Sequence, residues 1–453
     1  MDRRKFLKDA ALSAAGLALS QSLLAEESRA GAIISGAIPT DGKRGAVSTG
    51  VEDHLPISGY VRERAHRIPV VAEVDVVVAG GGVAGIAAAV SAARQGATVL
   101  LVEKANFPGG LWTGGLVLPV LATHGKGKTV AWDKASHGFC AEICDGLLQS
   151  GGAINPLNPL ADPEAAKHIL DKTLLDETGI TTLYNTAVCG VTMSRSRISS
   201  VLLDCNTGRI AIRCKVAVDA TGDGLLFHYT GDPYEARRYH VSTSFRSGGY
   251  REGQLTRHIL PVPGMTYDTQ GSFEAIDGLD VFKISRLQQE HRLAIWDRVQ
   301  EKKKEPGFED VYLMEVAPTT GVRVTRILDS LLNVTLEDTM QWKEYDDVIG
   351  MGGSSARFTY QGKEIPASEH PIWQIPYRAL LPKETANLLV AGRCFGYDQG
   401  IAWEAREIST CMVTGQAAGV AAAIAARDGI PARSVDIPAL QSILRAANAR
   451  LDF

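Results

Sequence analysis

Several things are missing from this chain of 453 residues, and each absence narrows its function. No apolar run reaches the roughly 20 residues that a membrane span needs, so no integral membrane segment is expected once an N-terminal leader is removed. The formal charge is only −4, which gives no reason to expect nucleic acid as a partner. The seven cysteines are odd in number and spaced neither as a disulfide framework nor as a tetrahedral metal site, so no metal is expected. Internal repeats and low-complexity segments are also lacking. What remains, 45% apolar and 22% charged, is the composition of an ordinary globular protein long enough for two or three structural units.

The most informative stretch that is present is VVVAGGGVAGIAAAVSAARQGATVLLVEK, residues 76–104. The apolar run at 74–79 reads as a buried parallel strand and leads straight into Gly80, Gly82 and Gly85 at G-x-G-x-x-G spacing. An alanine-rich helix follows, then a second apolar run that ends at Glu103. This is a βαβ unit with each part in the position that dinucleotide binding requires. Gly80 permits the tight turn, Gly82 lets the backbone approach a pyrophosphate, and Gly85 lets helix and strand pack closely. The helix start, at Val83 and Ala84, offers free N–H groups and partial positive charge to the phosphates. Glu103 is placed to accept bonds from a ribose, and a carboxylate there argues against a 2′-phosphate.

The first residues read as an address label. Arg3-Arg4-Lys5-Phe6-Leu7-Lys8, followed by an uncharged, moderately apolar stretch to Ala25, resembles a twin-arginine export signal. That route carries folded proteins, which suits a chain that must load a bulky cofactor first. The expected layout is a leader at 1–32, a Gly- and Ser-rich arm at 33–69, a first cofactor segment at 70–224, a middle section at 225–372, and a return to the cofactor fold at 373–453. Within it, the glycine-rich residues 107–120 look strand-like and 132–148 helical. A helix starting at Asp162-Pro163 is expected to run to about Thr178, and 181–219 to form a β-meander. A helix is expected near 280–304, a polar stretch near 350–364, strands at 375–381 and 387–391, and a small-residue helix at 409–427.

Four blocks then make the chain similar to the FAD-dependent oxidoreductase family with the glutathione-reductase-type fold. They are the fingerprint with Glu103; Phe107-Pro108-Gly109-Gly110 through Gly115; Val218-Asp219-Ala220-Thr221-Gly222-Asp223-Gly224; and Pro376-Tyr377-Arg378 through residues 387–394 to 415–423. The resemblance implies an α/β fold: a glutathione-reductase-type FAD-binding Rossmann domain, discontinuous, with an inserted α+β substrate domain. It implies FAD as cofactor, contacted also by Lys104, Gly109, Gly110, Trp112, Thr113 and Val188. Further expected contacts are Ala220, Thr221, Gly222 and Asp223, and then Gly392, Arg393 and Gly415. Trp112 would stack near the flavin ring, and the helix from about Ser409 would point its N-terminus at the flavin. Tyr377, Arg378, Tyr397 and Asp398 would lie near the flavin end.

Substrate chemistry is less sharply written. Oxidation by hydride transfer to flavin N5 needs a base for the substrate's proton, and His370, Glu369 and His240 are candidates. Arg323 and Arg326 can clamp a carboxylate or hydroxyls, although ion pairing explains them equally well. No second G-x-G-x-x-G unit is present for NAD(P)H, and no C-x₄-C pair accompanies Gly110, which speaks against disulfide reduction. The expectation is an exported, periplasmic dehydrogenase or oxidase acting on a small polar molecule such as a sugar, polyol or hydroxy acid. Electrons would pass to a quinone, a cytochrome or oxygen. The alternative is an FAD-containing isomerase or lyase without net redox change.

Overall fold

The computed structural model describes residue 51 and residues 53–255, 258–354 and 358–453. The expected leader, and the arm up to residue 50, lie outside the described residues. Residues 51 and 53–57 belong to one unit, and 58–453 form a second compact unit, to which all that follows refers. Residues 58–69 of the arm have no regular secondary structure and are mostly exposed.

The cofactor segment opens with β1 (Val70–Ala79), α1 (Val83–Ala93) and β2 (Val99–Val102). Next come α2 (Phe139–Gln149), α3 (Pro163–Asp176), β3 (Ile180–Leu183), β4 (Ala187–Ser194), β5 (Arg197–Cys205) and β6 (Gly208–Asp219). The sheet order is β3-β2-β1-β6-β5-β4. β1 lies parallel to both β2 and β6, while β6 turns back antiparallel on β5 through its first half. The final half of β1, Val76 to Ala79, is fully buried, as a strand covered on both faces should be. Each such valine contributes roughly 1.5–3 kcal/mol by burial. At α3, Asp162 accepts bonds from the N–H groups of Glu164 and Ala165, with Pro163 at the first helical position.

The middle of the chain contributes α4 (Leu225–Thr230), β7 (Tyr234–Ala236), β8 (Arg238–Gly248), β9 (Thr266–Asp277), α5 (Val281–Lys302), β10 (Tyr312–Val316), β11 (Gly321–Val322), β12 (Arg326–Leu328) and β13 (Val348–Gly352). β8 pairs antiparallel with β9, β10 and β11. Ile295 and Val299 of α5 pack on Phe245 and Val311 in a small core of their own. The chain then returns through β14 (Trp373–Pro376) to β15 (Leu388–Val390), which joins β6 in parallel as the seventh strand of the first sheet. α6 (Ile408–Asp428) and α7 (Ile437–Ala446) complete the fold.

Several local expectations are corrected. Residues 109–116 form tight turns instead of a strand, with Gly114 N–H on Gly110 C=O (2.8 Å) and Gly115 N–H on Leu111 C=O (3.1 Å). α2 begins only at Phe139, because Gly138 has φ 61° and breaks any earlier helix. The stretch near 350–364 begins with the wholly buried strand β13. The strand expected at 375–381 covers only 373–376 and then tightens into a 3₁₀ turn, Tyr377–Leu380. All seven cysteines are free. α6 is long and apolar enough for a membrane span, which the run-length reading missed, yet it is buried inside the protein from Ile408 to Ala426.

α6 is buried because it packs on α1 at backbone distance. A Cβ on Gly415 would stand 2.1 Å from the Ala84 carbonyl oxygen, and one on Gly419 would stand 2.1 Å from that of Ala88. Both residue pairs advance together, so the helices run parallel. α6 therefore begins seven residues before the contact, about 10 Å beyond the start of α1. We predict that Gly419→Val lowers stability by about 3 kcal/mol or more, because neither backbone can retreat without opening the core. Urea unfolding checks this, and a midpoint equal to wild type would remove the argument.

Candidate cofactor and substrate site

The carboxyl ends of β1, β2, β3, β6 and β15 share one edge, where ligands of open α/β sheets bind. The fingerprint glycines there have different reasons to be glycine. Gly80 has φ 101°, and a Cβ on it would lie 2.4 Å from the Ala220 carbonyl oxygen. A Cβ on Gly85 would lie 1.8 Å from the Gly80 carbonyl oxygen. Gly82 has an ordinary φ of −68°, and a Cβ on it would meet no protein atom within 4 Å. Nothing within the protein demands glycine at 82, so the demand fits something bound above it. Gly82 is also the N-cap of α1, which has no side-chain cap and no acid in its first turn. The first-turn amides at Val83, Ala84 and Gly85 thus face an open cradle that suits a diphosphate.

Glu103 is buried and accepts from the N–H groups of Gly81 and Ala105, each at 2.7 Å. A carboxylate has about four acceptor positions, so two remain for ribose hydroxyls. The second glycine loop folds onto the first: Gly109 N–H bonds Gly81 C=O at 2.8 Å, and a Cβ on Gly110 would stand 3.0 Å from Gly82 Cα. Val188 follows Thr186, whose N–H bonds Glu103 C=O at 3.0 Å. Lys104 is exposed, with its amine 3.9 Å from Asp223. These residues fit FAD by its ADP half.

The turn after β6 is organised by Asp219. This fully buried carboxylate accepts from Thr221 Oγ1 (2.7 Å), Thr221 N–H (3.1 Å) and Leu226 N–H (2.7 Å), so Thr221 and Ala220 are held by one acid. Arg393 spans the site: it donates to Gly222 C=O (2.8 Å), Val322 C=O (2.5 Å) and Asp223 Oδ1 (2.6 Å). Burial pushes Asp223 up, but the charges of Arg393 and Lys104 outweigh it and hold the carboxyl below its usual range. Every arm of Arg393 is therefore committed to the protein, and it acts as a staple rather than a free ligand donor. Gly392, at φ 78°, passes so close to α1 that a Cβ would stand 3.0 Å from Ala84 Cβ.

Other expected contacts have structural duties. Trp112 is 1% exposed and donates from Nε1 to Leu118 C=O (3.3 Å), leaving no face for a flavin ring. Thr113 is equally buried and donates to Pro108 C=O. Gly415 serves the contact with α1. Tyr377 donates to Ala432 C=O (2.8 Å), and Arg378 is locked in a two-bond pair with Asp347. Asp398 caps the turn at Ile401.

The catalytic candidates also separate. Glu369 points outward and pairs with Lys126 (2.6 Å) on the surface. His370 is fully buried, with its carbonyl bonded by Lys126 N–H. Burial pulls its imidazole down to about 4, so it is a weak base in a wall. His240 is exposed, and its carbonyl holds Arg323 (2.9 Å). Arg326 is buried against Tyr234 and bonds Asp223 C=O (3.0 Å).

Sequence reasoning missed the segment that enters α6, Trp403-Glu404-Ala405-Arg406-Glu407. Three charges directly before a helix with none until Arg427 were the available signal. Glu404 is 1% exposed, and its Oε1 has no hydrogen-bond partner. Burial, helped by the charge of Glu407, pushes its carboxyl up to about 8 against the pull of Arg406. Arg406 lies over the Trp403 ring (4.7 Å) and the Tyr239 ring (5.8 Å), with its Nε unpaired and buried. Arg323 is pulled down by burial first and then by the charge of Arg406, and it bonds the His240 carbonyl beside Tyr239, whose ring Arg406 covers.

Comparison with known proteins gives the family. Residues 75–244 and 237–444 match the family described as FAD dependent oxidoreductase. The chain belongs to that family. It is an FAD-dependent oxidoreductase, an enzyme with FAD as its cofactor, on an α/β Rossmann-like fold. A thiamine thiazole synthase of Aeropyrum pernix is 31% identical over 152 residues, 33% of this chain and 54% of that protein. The match thus spans about half the length of that relative. Among solved structures, a geranylgeranyl bacteriochlorophyll reductase-like protein of Thermoplasma acidophilum has 13% identity, a TM-score of 0.45, and 84% and 85% coverage of the two chains. A p-nitrophenol 4-monooxygenase of Pseudomonas putida has 11% identity, a TM-score of 0.44, and 83% and 84% coverage.

Two variants test this oxidoreductase's site. Gly82→Ala leaves the unfolding midpoint within about 0.5 kcal/mol of wild type and weakens FAD at least about tenfold. Unchanged FAD affinity by fluorescence titration would show that the cradle is not the cofactor site. For Glu404, the folded acid holds its proton between about pH 4.5 and 8, where the unfolded one releases it. Its stabilising contribution is therefore lost as pH rises across that window. Relative to wild type, Glu404→Gln gains stability between about pH 5 and 8, by up to about 1.4 kcal/mol for each pH step of one crossed. Parallel stability curves in urea would show that Glu404 titrates normally.

Proposed function

We propose that this oxidoreductase is an exported dehydrogenase or oxidase that oxidises a small polar molecule such as a sugar, polyol or hydroxy acid. The supporting observation is one juxtaposition. Arg393 ties the turn beside the fingerprint to Val322, next to Arg323, and the charge of Arg406 reaches Arg323 from the entrance of α6. Polar groups able to hold a substrate thus gather beside the strand ends that hold the nucleotide.

When bound, FAD supplies the two-electron acceptor. The chain's own residues bind and orient. The α1 N-terminus and Glu103 hold the ADP half. The α6 N-terminus, uncapped by any side chain, favours negative charge in front of it. Glu404 can take or give a proton at Oε1 near neutral pH. Residues 225–372 supply most of the substrate side, joined by the segment 403–407, and 70–224 with the rest of 373–453 supply the cofactor side. The four sequence blocks support the finer, glutathione-reductase-type assignment. Electrons then pass to a quinone, a cytochrome or oxygen. Residues 3–8 support export, already folded, through the twin-arginine route.

The test is anaerobic. Holoprotein mixed with pools of sugars, polyols and hydroxy acids should lose its flavin absorbance with one pool. If none of the pools bleaches it, the oxidation reading falls.

A further inference from the structure

The entrance of α6 carries more positive charge than the protein itself answers. Arg406 lies over the ring of Tyr239, Arg323 bonds the carbonyl of the next residue, His240, and the charge of Arg406 reaches Arg323. The hydrogen bond of Arg323 goes to the His240 carbonyl, and the nearest acid to Arg406 is Glu407 at 3.9 Å. The Arg406 side chain is 13% exposed, so its orphaned Nε is shielded from water as well. Arg237, 8% exposed, gives one terminal nitrogen to Glu235 (2.5 Å) but keeps Nε and the other terminal nitrogen without acceptors, and its charge reaches Tyr397 together with that of Arg406. Buried guanidinium donors without acceptors are costly, and a second like charge acting on Arg323 adds to the cost. A bound anion removes both. Glu404, buried to 1% in the same segment with Oε1 unpartnered, offers a further polar atom to that ligand.

We infer that the substrate carries a carboxylate, and that Arg406 and Arg323 bind it in front of the α6 N-terminus beside Glu404. This rests on the reading of the site as a substrate site for small polar molecules, and it selects the acids among them. Trp403 and Tyr239, whose rings are 6.5 Å apart and flank Arg406, hold the guanidinium in place for a two-bond contact.

The experiment titrates FAD-loaded protein with glycolate and with its uncharged amide, glycolamide, by calorimetry without oxygen. Glycolate should bind at least about tenfold more tightly than glycolamide. Arg406→Gln should erase that preference, Arg406→Lys should keep part of it, and Arg323→Gln should weaken it should the first variant fold poorly. Equal affinities for the two probes would overturn the inference. So would loss of FAD from Arg406→Gln in step with the loss of glycolate, which would assign the arginine to the cofactor. If neutral polyols bleach the flavin while glycolate does not bind, the oxidation reading stands and this inference falls. If glycolate binds through Arg406 but no pool reduces the flavin, the carboxylate site stands and the oxidation reading falls.

Discussion

The close approach of α1 and α6 is the constraint on which this structure turns. Gly415 and Gly419 bring one helix backbone against the carbonyls of Ala84 and Ala88 on the other. A larger residue at either glycine would push α6 outward. That contact sets the height of α6, so its N-terminus stands about 10 Å beyond that of α1. Two helix starts, each without a side-chain cap, then face the same region at the carboxyl edge of the sheet. One suits a diphosphate, and the other suits negative charge farther along.

The rest of the site is arranged to keep this region open and fixed. Asp219 knots the turn at 220–226, and Arg393 ties that turn to β11 and to the strand end at 390–392. Both use buried charge, which is strongly destabilising unless fully bonded, and both are nearly saturated with partners. The contrast with Arg406, Arg237 and Glu404 is informative. Those groups are just as buried but keep unpaired atoms. Arg326, with one orphaned Nε beside its bond to the Asp223 carbonyl, stands between the two groups.

Legibility followed the range of the interactions. The βαβ unit could be read because its evidence is local: strand, turn, helix and strand follow within 30 residues and obey fixed periodicities. The helix start at Asp162-Pro163 was legible for the same reason. The error at 109–116 came from glycines that mark close packing on the fingerprint rather than extended chain. His370 and Glu369 are adjacent in sequence, yet one is fully buried and the other pairs on the surface, a difference that depends on residues 124–126.

By itself, then, the sequence determined the cofactor class, because G-x-G-x-x-G, Glu103 and the small-residue helix act through backbone geometry that neighbours in the chain dictate. Only the tertiary structure decided which charged groups serve the scaffold and which stand ready for a ligand. Arg393 and Arg406 are both arginines in the same C-terminal segment, 13 residues apart. What distinguishes them is whether acceptors from residues 222–223 and 322 reach them, and partners that distant in sequence meet only once the chain has folded.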